Sequence, residues 1–443
     1  MPVRRTAVAT LLCLAASAGV SWAQYWEASI PTGQEPIEVI WNPTANKVYT
    51  ANLVGGTVTV IDGATNQVRA TLPVGPYPGG LSCNPKTNKV YVCCFGDEPS
   101  DYIVAVIDGS GDSVLKRLQL EFSPSLSVVN DSMNKVYVRC DEPHQNIVVL
   151  DGAADTVLRY IPARFSGDML VHPASNRLFF FADLDFADTI KALDCRTDEV
   201  VLRLPITTGR PNFSTWSRNP VTDLVYLGGR GGTGRTYVLT PEGDSVVAST
   251  SGASEIFCAV PFPNKMYTRP DWDWLWVVDG STHVVTDTVA IQGGPMVCDT
   301  VRGKVYTCQY SPEMVSVVDA RADTLLMSLS LPGWGSIDLC WNQANSRVYV
   351  VQEMANLVQV IRDTSSAIAE PATVHEALGS RAATLAGASY LWPGRETGQV
   401  IDACGKGVRE VWPGANDLSL LPAGVYVVVG AVTGATTKFV KLR

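Results

Sequence analysis

The chain has 443 residues, 46% of them hydrophobic and only 17% charged, a balance that excludes disorder and exceeds what one ordinary hydrophobic core can organise. A formal charge of −9, with no clustered run of Lys and Arg, excludes nucleic acid as the natural partner. Thirty-seven glycines and 27 prolines among frequent Val, Thr and Tyr point to many short strands joined by turns.

In chain order, residues 1–23 come first. Arg4 and Arg5 precede an apolar run from Ala7 to Val20, and the small-residue pattern Ser21-Trp22-Ala23 follows, as in a cleavable secretory signal. The run is short for a membrane anchor, which needs about 20 residues, and no later segment is long and apolar enough to span a bilayer. Cleavage would remove two positive charges, taking −9 to about −11, and would leave ten of the eleven cysteines for an oxidising compartment.

Residues 24–370 repeat one phrase. Tyr49, Tyr91, Tyr137, Phe179, Tyr226, Tyr267, Tyr306 and Tyr349 anchor "NKVYT", "NKVYV", "NKVYV", "NRLFF", "TDLVYL", "NKMYT", "GKVYT" and "SRVYV", 39 to 47 residues apart. This is the period of a four-stranded propeller blade, and eight anchors predict an eight-bladed β-propeller. In the first complete unit "IEVIW" is strand A, "KVYTA" strand B, "TVTVI" strand C and "QVRATLPV" strand D, with Asp62-Gly63 turning C into D. The turn recurs from Asp108, Asp151, Asp194, Asp279 and Asp319. Strands with Val, Ile and Tyr on both faces suit blades that pack against two neighbours, so the anchor tyrosines are expected in the core with satisfied hydroxyls. The last unit lacks a good strand D, whereas "QYWEASIPTG" at residue 24 reads as a strand D with nothing before it. The ring is therefore expected to close by pairing the two ends.

After Pro371 the period stops. Residues 371–386 read as a small-residue linker, and residues 387–443 as a small β-sandwich.

The stretch "VYTANLVGGTVTVIDGATNQVRATLPVG", Val48 to Gly75, resembles the YVTN-type β-propeller repeat of exported and surface-layer proteins. That resemblance implies a structural or adhesive surface role, although propellers related in shape include quinoprotein-dehydrogenase chains and lactonase-like enzymes, and fold alone transmits no reaction. The C-terminal "DLSLLPAGVYVV" (Asp417 to Val428) and "TKFVKLR" (Thr437 to Arg443) resemble a type IX secretion sorting domain, which implies recognition by secretion machinery near Val440 to Arg443. The early part departs from that pattern, with "LWPGRE" where a Pro-Asn-Pro segment is usual.

Chemistry is sparse. His144, His172, His283 and His375 fall at unrelated places, and no nucleophile elbow, P-loop or dinucleotide fingerprint occurs in a suitable context. The glycine-rich "GGRGGTGRT" from Gly228 lies in a hairpin without a helix to present N–H groups. Asp183, Asp185 and Asp188 could offer oxygens to calcium, but their spacing does not match a twelve-residue calcium loop, and solvated surface charge is the alternative reading. No other cofactor is indicated. Cys83 with Cys93 and Cys298 with Cys308 share one ten-residue offset and are disulfide candidates, or else buried thiols.

The loop "RPDWDWLWVVDG" places Trp272 and Trp274 about Asp273, a pairing suited to sugars or peptides. Tyr77, Phe165 and Trp334 occupy D-to-A loops on the same face and extend this into a recognition rim. The expectation is a non-enzymatic exported protein that binds extracellular protein or glycan at the cell surface. The alternative is an extracellular hydrolase or lyase with acidic residues around the central channel.

Overall fold

The computed structural model describes residues 24–364, except 97, 142–143, 165, 185–186, 207–211, 231–234, 252–256 and 271–272, together with the strands of the C-terminal segment. The leading 23 residues, most of the linker, His375, Phe165 and Trp272 lie outside the described residues.

Residues 24–363 form eight four-stranded antiparallel sheets, the blades of a β-propeller. Blade 1 runs Pro36–Asn42, Lys47–Asn52, Thr57–Asp62 and Val68–Pro73 as strands A to D. Blades 2 to 7 repeat this order over residues 78–119, 124–162, 166–205, 212–251, 257–289 and 296–330. Blade 8 takes strands A to C from residues 336–363 and strand D from Gln24–Pro31, which pairs antiparallel from Gln24 opposite Asp363 to Pro31 opposite Leu357. The ring thus closes between its ends as the sequence predicts.

Turn chemistry fixes each hairpin. At the A-to-B turn of blade 1 the Asn42 side chain accepts hydrogen bonds from the backbone of Thr44 and Ala45, and Asn46 adopts a φ of 49°. Asn tolerates this left-handed conformation better than most residues, and Asn88, Asn134, Asn176 and Asn264 repeat it. At the C-to-D turn Asp62 accepts from Ala64 and Thr65, and the turn ends in another left-handed residue, Asn66.

Strands B and C are buried on both faces: all six residues of Lys47–Asn52 are buried. Strand D, on the outside, alternates exposed and half-buried. Apolar clusters therefore lie between blades and not within them. Tyr49, Val58 and Val60 of blade 1 pack on Val90, Val92 and Ile107 of blade 2, and the same arrangement recurs at every interface, including Val39 and Val48 against Tyr349, Val351 and Val360 across the seam of blades 8 and 1. Burying each Val or Ile side chain contributes roughly 1.5–3 kcal/mol.

The bottom face, where A-to-B and C-to-D turns lie, carries a latch that explains the repeated phrase. Lys89 of blade 2 reaches Asp155 in the C-to-D turn of blade 3 at 2.7 Å, and the Tyr91 hydroxyl donates to the same carboxylate at 3.1 Å. Lys135 and Tyr137 grip Asp198 in the same way, and Lys265 and Tyr267 grip Asp323. Lys47 reaches Asp112, although the Tyr49 hydroxyl makes no hydrogen bond. Where the anchor is Phe179, with no hydroxyl, the next turn carries Gly243 at a φ of 77°, and the Phe179 ring occupies the space a Cβ would need. Blade 8 lacks a C-to-D turn, and Asp363 takes over the latch, receiving Lys304, Tyr306 and the side-chain amide of Gln24. At the seam, blade 1 offers the uncharged Asn66 to Tyr349, and Arg347 pairs with Glu27 of the closing strand at 2.7 Å.

The thiols of all nine described cysteines are free, so the candidate disulfides are not formed. Cys83 lies opposite Val90 and Cys298 opposite Val305. Their ten-residue partners are three positions further on, roughly 10 Å along a strand and beyond disulfide reach.

Beyond the propeller, Thr384–Ala386, Gly398–Asp402, Gly407–Val411, Gly424–Gly430 and Thr436–Lys441 form a five-stranded sheet, and Ser389–Trp392 pairs with Gly414–Asp417. The first of these strands lies inside the stretch expected to be linker. Among the described residues no helix is long and apolar enough to cross a membrane.

Candidate functional site on the top face and channel

The opposite, top face carries the D-to-A and B-to-C loops. Trp334, between blades 7 and 8, is 70% exposed, and Tyr77, between blades 1 and 2, is 43% exposed. Trp274 in the B-to-C loop of blade 6 is 44% exposed, and Asp273 beside it is also exposed. Trp276 is half-buried in strand C of the same blade. Trp272 and Phe165, the other two members of the expected rim, lie outside the described residues. Sequence reasoning missed Tyr310, 50% exposed in the B-to-C loop of blade 7.

These aromatics stand on pinned loops. Glu313 accepts hydrogen bonds from the backbone of Gly335 at 2.7 Å and Ser336 at 3.1 Å, and from the Ser336 hydroxyl at 2.8 Å. Gly333 and Gly335, at φ of 93° and 82°, flank Trp334 and allow the tight loop that projects its ring. Tyr77 itself sits at a φ of 45°, and its carbonyl accepts from the Phe95 backbone.

A cavity of about 530 Å³ opens among these loops, lined by Arg269, Gln292, Gly294, Gln309, Tyr310 and Ser311. Arg269 is buried and donates to the Gly293 carbonyl. Gln309 donates to Gln292, and Gln292 in turn reaches Asp273 at 3.4 Å, tying the cavity wall to the loop of Trp274.

A second cavity, of about 450 Å³, lies where the inner strands converge. Its wall holds Glu38, Asp168 and Asp338, each the third residue of strand A in blades 1, 4 and 8. Glu38 accepts from the backbone of Leu81 and Asp338 from that of Val39, so each carboxylate binds the next blade. Burial pushes Asp338 up to about 7. Burial, with the like charge of Asp338, also holds Glu38 well above the usual carboxylate range. Asp168 is raised by burial too, although its side chain stays open to channel water and the neighbouring Arg139 opposes the shift. These three were not singled out in the sequence; the signal was a carboxylate at an inner-strand position that is Gly80 in blade 2 and Leu126 in blade 3.

Of the three described histidines, two hold the bottom face together. His172 is buried between Ser175, whose backbone donates to it, and the carbonyl of Asp223, and His283 bonds the Tyr226 hydroxyl at 2.7 Å as a latch variant. His144 sits on the opposite face, in a B-to-C loop. For the calcium candidate, Asp185 and the side chains of Asp183 and Asp188 lie outside the described residues; among the described residues no group of three metal-binding side chains converges.

No family model and no curated protein matches the sequence. Solved structures do match in fold. The C-terminal WD40 domain of Sif2 is 11% identical with a TM-score of 0.61, covering 76% of this chain and 98% of that one. BamB from Moraxella catarrhalis is 12% identical with a TM-score of 0.58, over 76% and 99%. The Cps50 (Swd1) β-propeller domain of Myceliophteria thermophila is 11% identical with a TM-score of 0.52, over 76% and 99%. The chain is an all-β, eight-bladed propeller. At such low identity the likeness speaks for the fold alone.

Proposed function

We propose that this propeller is an exported, non-enzymatic binding protein that holds an extracellular protein or glycan at the cell surface through its top face. The observation that carries the reading is the set of exposed top-face aromatics, Trp274, Tyr310 and Trp334, of which Tyr310 lines the cavity and the other two stand on loops hydrogen-bonded to its walls. Large flat side chains left in water by a fold that buries its anchor tyrosines suit a recognition surface, because their apolar faces are desolvated only when a partner arrives. The leading segment, the resemblance of Val48 to Gly75 to the YVTN-type repeat and that of the C-terminal residues Asp417 to Val428 and Thr437 to Arg443 to a type IX secretion sorting domain support the surface location. Replacing Trp274, Tyr310 and Trp334 together by Ala should abolish capture on glycan and peptide arrays while the fold persists; unchanged capture would remove this reading. Mass spectrometry of the protein released by its native cell should find both chain ends trimmed.

A second reading, an extracellular hydrolase or lyase, is favoured by Glu38, Asp168 and Asp338 in the channel, since a carboxyl with raised pKa can act as an acid near neutral pH. The hydrogen bonds from Leu81 and Val39 give two of these groups a structural task instead. Turnover of a lactone or glycoside that is lost in Glu38→Gln and Asp338→Asn would favour this second reading.

A further inference from the structure

Resting on the top-face reading, we propose that the 530 Å³ cavity between blades 6, 7 and 8 is a subsite for one or two rings of a neutral, hydroxyl-rich oligosaccharide. Its size falls in the range of about 300–1,000 Å³ typical of small-ligand sites. Its lining is mainly apolar and includes Gly294, Pro295, Ile337 and the ring of Tyr310. A pyranose offers such a surface its C–H face.

The polar groups fit hydroxyls. Each sugar hydroxyl both donates and accepts, and the cavity presents side chains able to do both: the amides of Gln292 and Gln309 and the hydroxyl of Ser311, with the Arg269 guanidinium as a fixed donor. The Gln309-to-Gln292 hydrogen bond orients the two amides, and the contact of Gln292 with Asp273 couples them to the loop that bears Trp274. On the other wall Ser336 is held by Glu313, next to the loop that bears Trp334. The loops of Trp274 and Trp334 thus join the two walls of the cavity, where an adjoining ring of the chain would meet them.

The charges at the site do not single out an anionic sugar. Among the described residues Arg269 is the one charged side chain on the cavity wall, and the carboxylates of Asp273 and Glu313 stand just behind it, bonded to the lining residues Gln292 and Ser336. A site with both signs close by, in a chain of net charge −9, offers no surplus attraction to a uronate.

The test is titration of the full chain, by calorimetry and tryptophan fluorescence, with cellotriose, maltotriose, tri-galacturonate and a mixed peptide pool. One of the neutral trisaccharides should bind and quench fluorescence. Gln292→Ala and Tyr310→Ala, both at exposed positions, should each weaken it at least tenfold, whereas Lys86→Ala, in an exposed A-to-B turn of the bottom face, should leave it within twofold. Binding of neither neutral sugar, or equal affinity in Gln292→Ala and Tyr310→Ala, overturns the proposal. If only peptides bind, and rim variants abolish that, the sugar subsite fails while the top-face reading survives; if rim variants change nothing for any probe, both fail.

Discussion

The two faces of the ring are built from the same strands and treat their polar groups in opposite ways. On the bottom face a recurrent set of charged and hydroxylic side chains is spent on the next blade: Lys89 and Tyr91 on Asp155, Lys135 and Tyr137 on Asp198, Lys304 and Tyr306 on Asp363. On the top face, Trp334 and Tyr310 stand in water, and the polar bonds nearby hold backbone loops in place. The bottom face repeats because most interfaces use one latch, and the phrase varies where the latch does, as at Phe179 beside Gly243. The top face varies because nothing in closing the ring constrains it. Structure and recognition are thereby separated, so one can be altered without the other.

The largest way to break the comparison is at the closing latch. Asp363→Ala would leave Lys304, only 3% exposed at its side chain, without its carboxylate, and should cost about 3–5 kcal/mol in chemical denaturation, with array binding retained by the fraction still folded. Asp155→Ala at an ordinary interface, where Lys89 can turn toward water, should cost less, about 1–3 kcal/mol.

Next comes the channel. Because the folded pKa of Asp338 is raised to about 7 from an ordinary value near 3.8, folding favours its protonated form. Its contribution is fully present below about pH 4, is lost as the pH rises toward 7, and changes little above that. Asp338→Asn should flatten that part of the stability profile and raise stability at pH 8 by on the order of 1 kcal/mol or more. A profile identical to that of the native chain would show that the channel carboxylates cost nothing.

The latch variant gives a smaller effect of opposite sign. Burial lowers the pKa of His283, so its contribution is complete above the ordinary histidine value near 6.5 and declines as the pH falls through that value toward the lower folded one. His283→Asp, which restores the residue found in most other turns, should remove that acid-side slope. The smallest effect sharpens the contrast most: Trp334→Ala should shift stability by no more than about 0.5 kcal/mol while weakening partner capture strongly.

The blades were legible because two signals recur at a fixed distance, the Asn-Lys-x-Tyr phrase and the Asp-Gly turn, and the latch shows why both recur: they are its two halves, in neighbouring blades. The closing strand was legible because its alternation matches an outer strand with no unit before it. The disulfide candidates misled because a shared offset says nothing about which residues face each other across a hairpin, and Cys83 meets Val90. Glu38, Asp168 and Asp338 escaped notice because each is one carboxylate in its own strand, and only the ring brings the three to one wall. Tyr310 was passed over for the opposite reason: a lone aromatic in a short loop carries no pattern, and only its 50% exposure distinguishes it from the buried anchors.

The seam also sets a schedule. Gln24 and Asp363 are 339 positions apart, so the first strand of the ring to be made is the last of the ring to find its partner. At about 5–20 residues per second that interval is roughly 20–70 s, during which an unpaired edge rich in Tyr25, Trp26 and Ile30 stands open to other chains. A nascent molecule of this design depends on being shielded until its final third is made, and once its ends have clasped, no blade can leave without first undoing the join.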